Sequence, residues 1–328
     1  MINYQRIINE KDGNMILLFW LGVFIVSMIV LYKSSDLFIS SSEKVGRVLR
    51  IPDFIIGVTI FSVGTSLPEL LTSIVAMYSR QPEIVIGNVV GSNITNIFLG
   101  LGLLPVVVGF FVIGKKLIST DLPILVGSTF LLVVTCYDGK FTPIEALFCL
   151  AGLGIYIAYA MKEHREFKKQ NGELSENNEK LKAKTVVKLL LSCLFLWLGA
   201  ELTIDSLTKI SEITRIGTEV VSASALALGT SLPEIITSIM VIRQGKIDIA
   251  VGTILGSNIF NAFGIMGIAG LMGTIIVPAN MFPFGIGMLV LATLLSFFIT
   301  LDQEITVWEG CLLIVFYVIY VGKLYSWV

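Results

Sequence analysis

The chain is poor in the residues on which most catalytic and metal chemistry depends. It has a single histidine, His164, in a charged stretch, and four cysteines, Cys136, Cys149, Cys193 and Cys311, with no CxxC spacing. Imidazole-based metal binding and histidine-assisted nucleophilic catalysis are therefore excluded. The cysteines sit in apolar runs and read as small buried hydrophobes. No G-x-S-x-G elbow and no HExxH is present, so an enzyme is not expected. An aspartyl protease dyad would need two aspartates within the apolar spans. Charge is scarce as well. Charged residues make up 14% of the chain, against about 25% in a soluble domain. The net charge is −1, and no basic stripe interleaved with aromatics is present, which argues against nucleic acid as a partner.

What the chain has instead is apolar length: 55% hydrophobic residues and a mean hydropathy of +0.88. The expectation is an all-α integral membrane protein of ten transmembrane helices, at 15–40, 54–78, 84–110, 121–137, 142–161, 186–210, 218–242, 247–272, 279–300 and 305–325. The long hydrophilic segment 162–185 reads as a linker between an N-terminal five-helix repeat, 1–161, and a C-terminal one, 186–328. The first apolar run, Met15 to Tyr32, reads as a retained helix rather than a cleaved signal, because further hydrophobic spans follow directly. Asn93-Ile94-Thr95 has the form of a glycosylation sequon but lies inside an apolar run.

The two halves repeat one another. Gly64-Thr65-Ser66-Leu67-Pro68-Glu69 returns as Gly229-Thr230-Ser231-Leu232-Pro233-Glu234, and Gly91-Ser92-Asn93-Ile94-Thr95-Asn96 as Gly256-Ser257-Asn258-Ile259-Phe260-Asn261, always 165 residues on. Near the last span of each half, Thr142-Pro143-Ile144-Glu145 resembles Thr306-Val307-Trp308-Glu309. Five spans per half is an odd number, so the halves enter the membrane from opposite sides as an inverted repeat. With the N-terminus outside, 16 of the 23 lysines and arginines fall on the side of the linker and seven on the other. That places the linker in the cytoplasm and both termini outside a cell membrane.

The repeated motifs carry the chemistry. Pro68 has no N–H for the carbonyl of Gly64 and pushes Leu67 off helical dihedrals, so the second span is expected to break near Ser62 to Ser66. Such backbone is tolerated at membrane depth where it lines a cavity or is covered by protein. Glu69 then shares a face with Thr65 and Ser66. Ala227, Thr230, Ser231, Pro233 and Glu234 repeat the pattern, with a second break. Ser92 with Asn96, and Ser257 with Asn261, stand at i, i+4 on the neighbouring spans. Gly87, Gly91, Gly102, Gly252, Gly256 and Gly267 allow helices to approach closely.

The pooled groups are hard oxygens, which suit calcium or sodium and not zinc or copper. Ser and Asn at this spacing can also simply bind helices together. A lone carboxylate can cap a helix or pair with a lysine, and Glu145 and Glu309, at span ends, read as structural or interfacial. Asp36, Glu201 and Asp205 read as structural. A carboxylate at mid-membrane costs on the order of 2.5–3.5 kcal/mol. Finding it twice at equivalent places, without a lysine or arginine nearby in the spans, points to a bound cation.

At the segments 57–102 and 222–267 the chain resembles the alpha repeats of the sodium/calcium exchanger family of the calcium/cation antiporter superfamily. Proton-coupled relatives usually carry GN-x-x-E where this chain has GTSLPE. The resemblance implies a secondary active antiporter exchanging sodium for calcium by alternating access, electrogenic and independent of potassium. It implies that Glu69 and Glu234 bind both ions, and that Thr65 and Thr230 give backbone oxygens to calcium. It further implies that Ser66, Ser92, Ser231 and Ser257 bind sodium, with carbonyls of Ser62 and Ala227, while Asn96 and Asn261 are polar site residues. Some relatives and the potassium-dependent branch have Asp where this chain has Asn261. No cofactor is implied beyond the transported ions, and the expected surroundings are membrane lipids without an obligate protein partner. The alternative is a calcium/proton antiporter, because carboxylates in apolar surroundings can take up protons. A passive cation channel is a further reading, against which the internal repeat argues.

Overall fold

The computed structural model describes residues 2–49, 51, 53–115, 117–170, 182–214, 218–279 and 281–324. The chain is almost wholly helical. The helices are α1 (Ile2–Leu49), α2 (53–65), α3 (Leu67–Tyr78), α4 (Glu83–Val108), α5 (Leu117–Thr135) and α6 (Pro143–Gln170) in the first half. The second half holds α7 (Ala183–Thr214), α8 (Thr218–Arg243), α9 (Ile247–Met272), α10 (281–299) and α11 (Val307–Leu324). Among the described residues seven helices are long and apolar enough to cross a membrane, or eight with α2 and α3 taken as one bent span.

Two of these helices are unlike the rest. The most apolar stretches of α4 and α9 are 83% and 94% buried, whereas that of α1 is 11% buried. An apolar helix covered on all sides is the centre of a bundle, and one exposed along an apolar flank faces lipid. Helices α4 and α9 are the ones that carry the repeated Gly-Ser-Asn segments. Glycine makes their burial possible at one contact. A Cβ on Gly256 of α9 would stand 2.7 Å from Val58 Cα and 2.8 Å from the Val58 carbonyl oxygen, so α2 and α9 touch backbone to backbone.

Short pairings and caps recur at matching places in the two halves. Strand β1 (Phe111–Val112) pairs antiparallel with β4 (Glu304–Ile305), and β2 (Lys140–Phe141) with β3 (Ile275–Ile276). The hydroxyls of Thr129 and Thr293 meet at 3.0 Å. Thr142 N–H and Oγ1 donate to Glu145 Oε2 at 2.6 and 2.9 Å, and Thr306 N–H and Oγ1 to Glu309 Oε2 at 2.7 and 2.8 Å. Both glutamates thus cap the starts of α6 and α11.

Helix α1 lies along α7, with Thr203 donating to Ser27 at 2.8 Å, and reaches the second half where Ser35 donates to Thr237 of α8 at 3.2 Å. Lys246, between α8 and α9, pairs with Glu43 near the end of α1. Asp36, Glu201 and Asp205 are on the exposed flanks of α1 and α7.

Several helices run past their expected ends: α1 covers Ile2–Leu49 against an expected 15–40, and α7 covers Ala183–Thr214 against 186–210. Helix α6 runs to Gln170, past the expected span end at 161, because its charged continuation needs no apolar face to stay helical in water. Residues 171–181 of the linker lie outside the described residues. The expected second break is also absent: α8 is continuous from Thr218 to Arg243 with Pro233 inside it. A proline removes one helical hydrogen bond and adds a local clash, a cost that packing on both sides can absorb.

Candidate cation site

Helices α2 and α3 meet at 47° across the single residue Ser66, whose backbone (φ −83°, ψ 9°) leaves the helical region. Pro68 then occupies the first turn of α3, where no N–H partner is required, and Glu69 follows it. A carboxylate in a first turn faces the partial positive charge of the helix N-terminus. The break is narrower than expected from sequence. Ser66 N–H still reaches the Ser62 carbonyl at 3.0 Å, so α2 stays wound up to the turn.

Glu69 and Glu234 are both fully buried, and Asn88 links their surroundings, donating to the Glu69 carbonyl and lying 3.4 Å from Thr230, one turn before Glu234. Glu234 Oε1 accepts from Ser66 Oγ of the opposite half at 2.9 Å and from Ser257 Oγ at 3.5 Å. Thr65 lies beside Glu234, and Thr230 beside Glu69. Ser257 Oγ is also 3.4 Å from the Ser62 carbonyl. Ser92 and Thr230 share a hydrogen bond at 3.0 Å. Thr65 Oγ1 donates to the Phe61 carbonyl at 2.9 Å.

Ser62, Thr65, Ser66, Ser92, Asn96, Thr230, Ser231, Ser257 and Asn261 are buried with the two glutamates. The backbone of Ala227 is part of α8, and its side chain lies outside what is described.

The acceptors in this region outnumber the donors. Both carboxylate oxygens of Glu69, Oε2 of Glu234, Oγ of Ser231, and Oδ1 of Asn96 and of Asn261 are buried without a hydrogen-bond partner. No ion pair among the described residues involves either glutamate. Orphaned buried acceptors cost roughly 1–3 kcal/mol each, and more when charged. Two acids and several neutral oxygens gathered without a counter-charge form the donor set of a hard cation, which takes 6–8 oxygens in the case of calcium. Among the described residues no group of three or more His, Cys, Asp or Glu is placed to hold a metal ion. The charge available to a cation is thus that of two carboxylates.

Sequence reasoning passed over three residues here. Asn88 donates to the Glu69 carbonyl at 3.0 Å and to Ser73 Oγ at 3.1 Å, and its Oδ1 is 3.4 Å from Thr230 Oγ1. Its counterpart is Thr253, so the repeat gave no signal for it. Asn93 and Asn258 each donate to the other's backbone carbonyl at 3.1 Å. Both stand in the repeated motif, which was signal enough. The i, i+4 reading kept only Ser92 with Asn96 and Ser257 with Asn261.

Comparison with known proteins shows what the chain as a whole is similar to. The profile of the family described as sodium/calcium exchanger protein matches residues 19–162 and 184–325. The sodium/calcium exchanger MaX1 of Methanosarcina acetivorans is 30% identical over 92% of this chain and 97% of its own. The inner membrane protein YrbG of Escherichia coli is 33% identical over 76% of this chain and 79% of its own. The solved structure of the sodium-calcium exchanger NCX_Mj soaked with zero Na+ and Ca2+ superposes with a TM-score of 0.77 at 29% identity, covering 94% of this chain and 99% of that one.

Proposed function

The chain belongs to the sodium/calcium exchanger family, a family of membrane antiporters, and from that premise we propose that it exchanges sodium for calcium electrogenically through a site shared by its two halves. The observation that carries this reading is the pair of buried carboxylates, Glu69 and Glu234, brought together from α3 and α8 without a basic partner. One calcium ion neutralises the pair. Glu69 and Glu234 hold it together with backbone oxygens of Thr65 and Thr230. Sodium ions use the same carboxylates with Ser66, Ser92, Ser231 and Ser257 and the carbonyls of Ser62 and Ala227. Asn96 and Asn261 add neutral oxygens.

Calcium and sodium compete because they draw on one set of acceptors. An empty pair of carboxylates is costly to enclose in a low dielectric, so closure over the site favours a neutralised pair. That bias prevents leak and couples the two fluxes. More than two sodium ions per calcium leaves net positive charge moving with sodium, which makes exchange respond to voltage. Position 261 is an amide, so the site holds no third carboxylate for a potassium ion.

The architecture follows the sequence repeat: ten spans in two inverted five-helix halves, with termini outside and the 162–185 linker in the cytoplasm. Helices α1 and α7 rock against the core formed by α4 and α9 with the site.

The test is uptake of radioactive calcium into sodium-loaded proteoliposomes. Uptake driven by the outward sodium gradient supports the reading. Uptake that ignores sodium and follows a pH gradient alone would replace it with calcium/proton exchange.

A further inference from the structure

Four asparagines join the halves in a pattern that leaves their amides no choice of orientation. Asn93 Nδ2 donates to the backbone carbonyl of Asn258, and Asn258 Nδ2 to that of Asn93, each at 3.1 Å. A carbonyl only accepts, so the nitrogen of each amide faces it and the oxygen is turned the other way. Each of those oxygens receives a second amide. Asn96 Nδ2 donates to Asn258 Oδ1 and Asn261 Nδ2 to Asn93 Oδ1, both at 3.0 Å. The oxygens of Asn93 and Asn258 are acceptors only, so Asn96 and Asn261 must present nitrogen to them. Their own Oδ1 atoms remain as buried acceptors without a donor. These atoms belong to the helix faces that carry Ser92 and Ser257 one turn earlier.

We infer that Asn93 and Asn258 are positioning residues that turn the side-chain oxygens of Asn96 and Asn261 to the cation site and restrict positions 96 and 261 to hydrogen-bond donors. This rests on the cation site proposed above. The backbone supplies the direction, the Asn93/Asn258 pair relays it, and Asn96 and Asn261 deliver it as two oriented neutral oxygens. An ionised carboxylate at position 261 would set its oxygen against Asn93 Oδ1, acceptor against acceptor. A protonated acid restores the bond, because its O–H donates. The network therefore holds the site to the charge of Glu69 and Glu234 alone.

The experiment compares Asn261→Asp and Asn96→Asp with the wild type by thermal melting of the purified protein in buffer free of sodium and calcium, from acid to alkaline pH. On the helices packed against α4 and α9 the other buried titratable oxygens among the described residues are those of Glu69, Glu234, Asp121, Tyr156, Tyr317 and Tyr320. An introduced acid also couples to Glu69 and Glu234, so the same comparison is made in the Asn93→Ala and Asn258→Ala backgrounds, and only the pH-dependent loss that disappears there counts toward the inference.

The protonated acid fits, so both variants should melt near wild type at acid pH. They should fall away as pH rises and the introduced acid ionises, the folded-to-unfolded ratio losing up to about tenfold per pH unit. A difference that does not change with pH overturns the inference, as does failure of both variants to fold even at acid pH.

Asn93→Ala supplies a second readout. Freeing the Asn261 amide should weaken calcium binding by about tenfold, the worth of one hydrogen bond. Unchanged affinity in a folded Asn93→Ala protein overturns the inference. The melting readout does not depend on transport. A wild type that carries no calcium would sink the exchanger reading and leave the asparagine network standing.

Discussion

The hydroxyl of Ser66 donates to Glu234 Oε1 of the opposite half at 2.9 Å, while its counterpart Ser231, also buried, has no partner for its hydroxyl. The two halves share a motif and yet differ at its centre. The half whose serine is engaged is the one whose helix is broken, at Ser66 itself. The other keeps α8 continuous through Pro233.

That asymmetry can be tested. A hydrogen bond to a charged group is worth about 1.5–3 kcal/mol. Ser66→Ala should therefore weaken calcium binding about tenfold or more, and Ser231→Ala by less, as read by titration calorimetry on the purified protein. The reverse order would contradict the observed pairing.

Removing either acid should abolish exchange and lower the buried charge of the site. Glu69→Gln and Glu234→Gln should show no sodium-dependent calcium uptake. In ion-free buffer each should melt above wild type, because a buried unpaired charge has been replaced by a neutral amide. Calcium should stabilise wild type and leave both variants unmoved. A variant that melts well below wild type in ion-free buffer would argue that its carboxylate holds the fold rather than an ion.

Close backbone contact between α2 and α9 should tolerate no side chain at Gly256. A Cβ there meets Val58 Cα at 2.7 Å, and backbone cannot yield as a flexible side chain can. Gly256→Val should cost about 1–3 kcal/mol or more through overpacking and lower the yield of folded protein. At Gly100 the nearest atoms stand 3.5 Å from the added Cβ, so Gly100→Ala should express and melt close to wild type. Equal tolerance at both sites would refute the close approach.

Voltage and potassium separate the proposed stoichiometry from its rivals. If three sodium ions leave for each calcium ion that enters, a clamped inside-positive potential should speed calcium uptake and an inside-negative one slow it. The bias is about 2.3 kcal/mol per charge for each 100 mV. Replacing all potassium by choline should leave uptake unchanged. Uptake that is indifferent to voltage would mean that two sodium ions exchange for each calcium ion.

Much of this was legible in the sequence because the chain states its motif twice. A single Pro-Glu in an apolar run reads as a kink with a cap. The same pair 165 residues later, again without a neighbouring base, does not. In the structure Glu69, Glu234, Ser66, Ser257, Ser92 and Thr230 are all buried, with Ser66 and Ser257 on Glu234 and Ser92 on Thr230. Glu145 and Glu309 read from sequence only as structural or interfacial residues at span ends; their capping of α6 and α11 is seen in the structure.

What the sequence could not convey was set by packing. Pro68 and Pro233 have the same local chemistry, and only one of them ends a helix. Asn88 is matched by Thr253 and not by an amide in the second half, and its bonds to the Glu69 carbonyl and Ser73 depend on how α3 lies against α4. The exchange between Asn93 and Asn258 requires two helices to cross with these residues face to face, which no one-dimensional spacing specifies.

The most direct measurement is difference density from crystals of the purified protein prepared once in calcium and once in sodium alone. The expected result is a strong peak in calcium held by both Glu69 and Glu234, replaced in sodium by weaker peaks on the same carboxylates and the serines around them. Calcium bound elsewhere, or the two carboxylates turned apart onto basic side chains, would contradict a cation site shared between the halves.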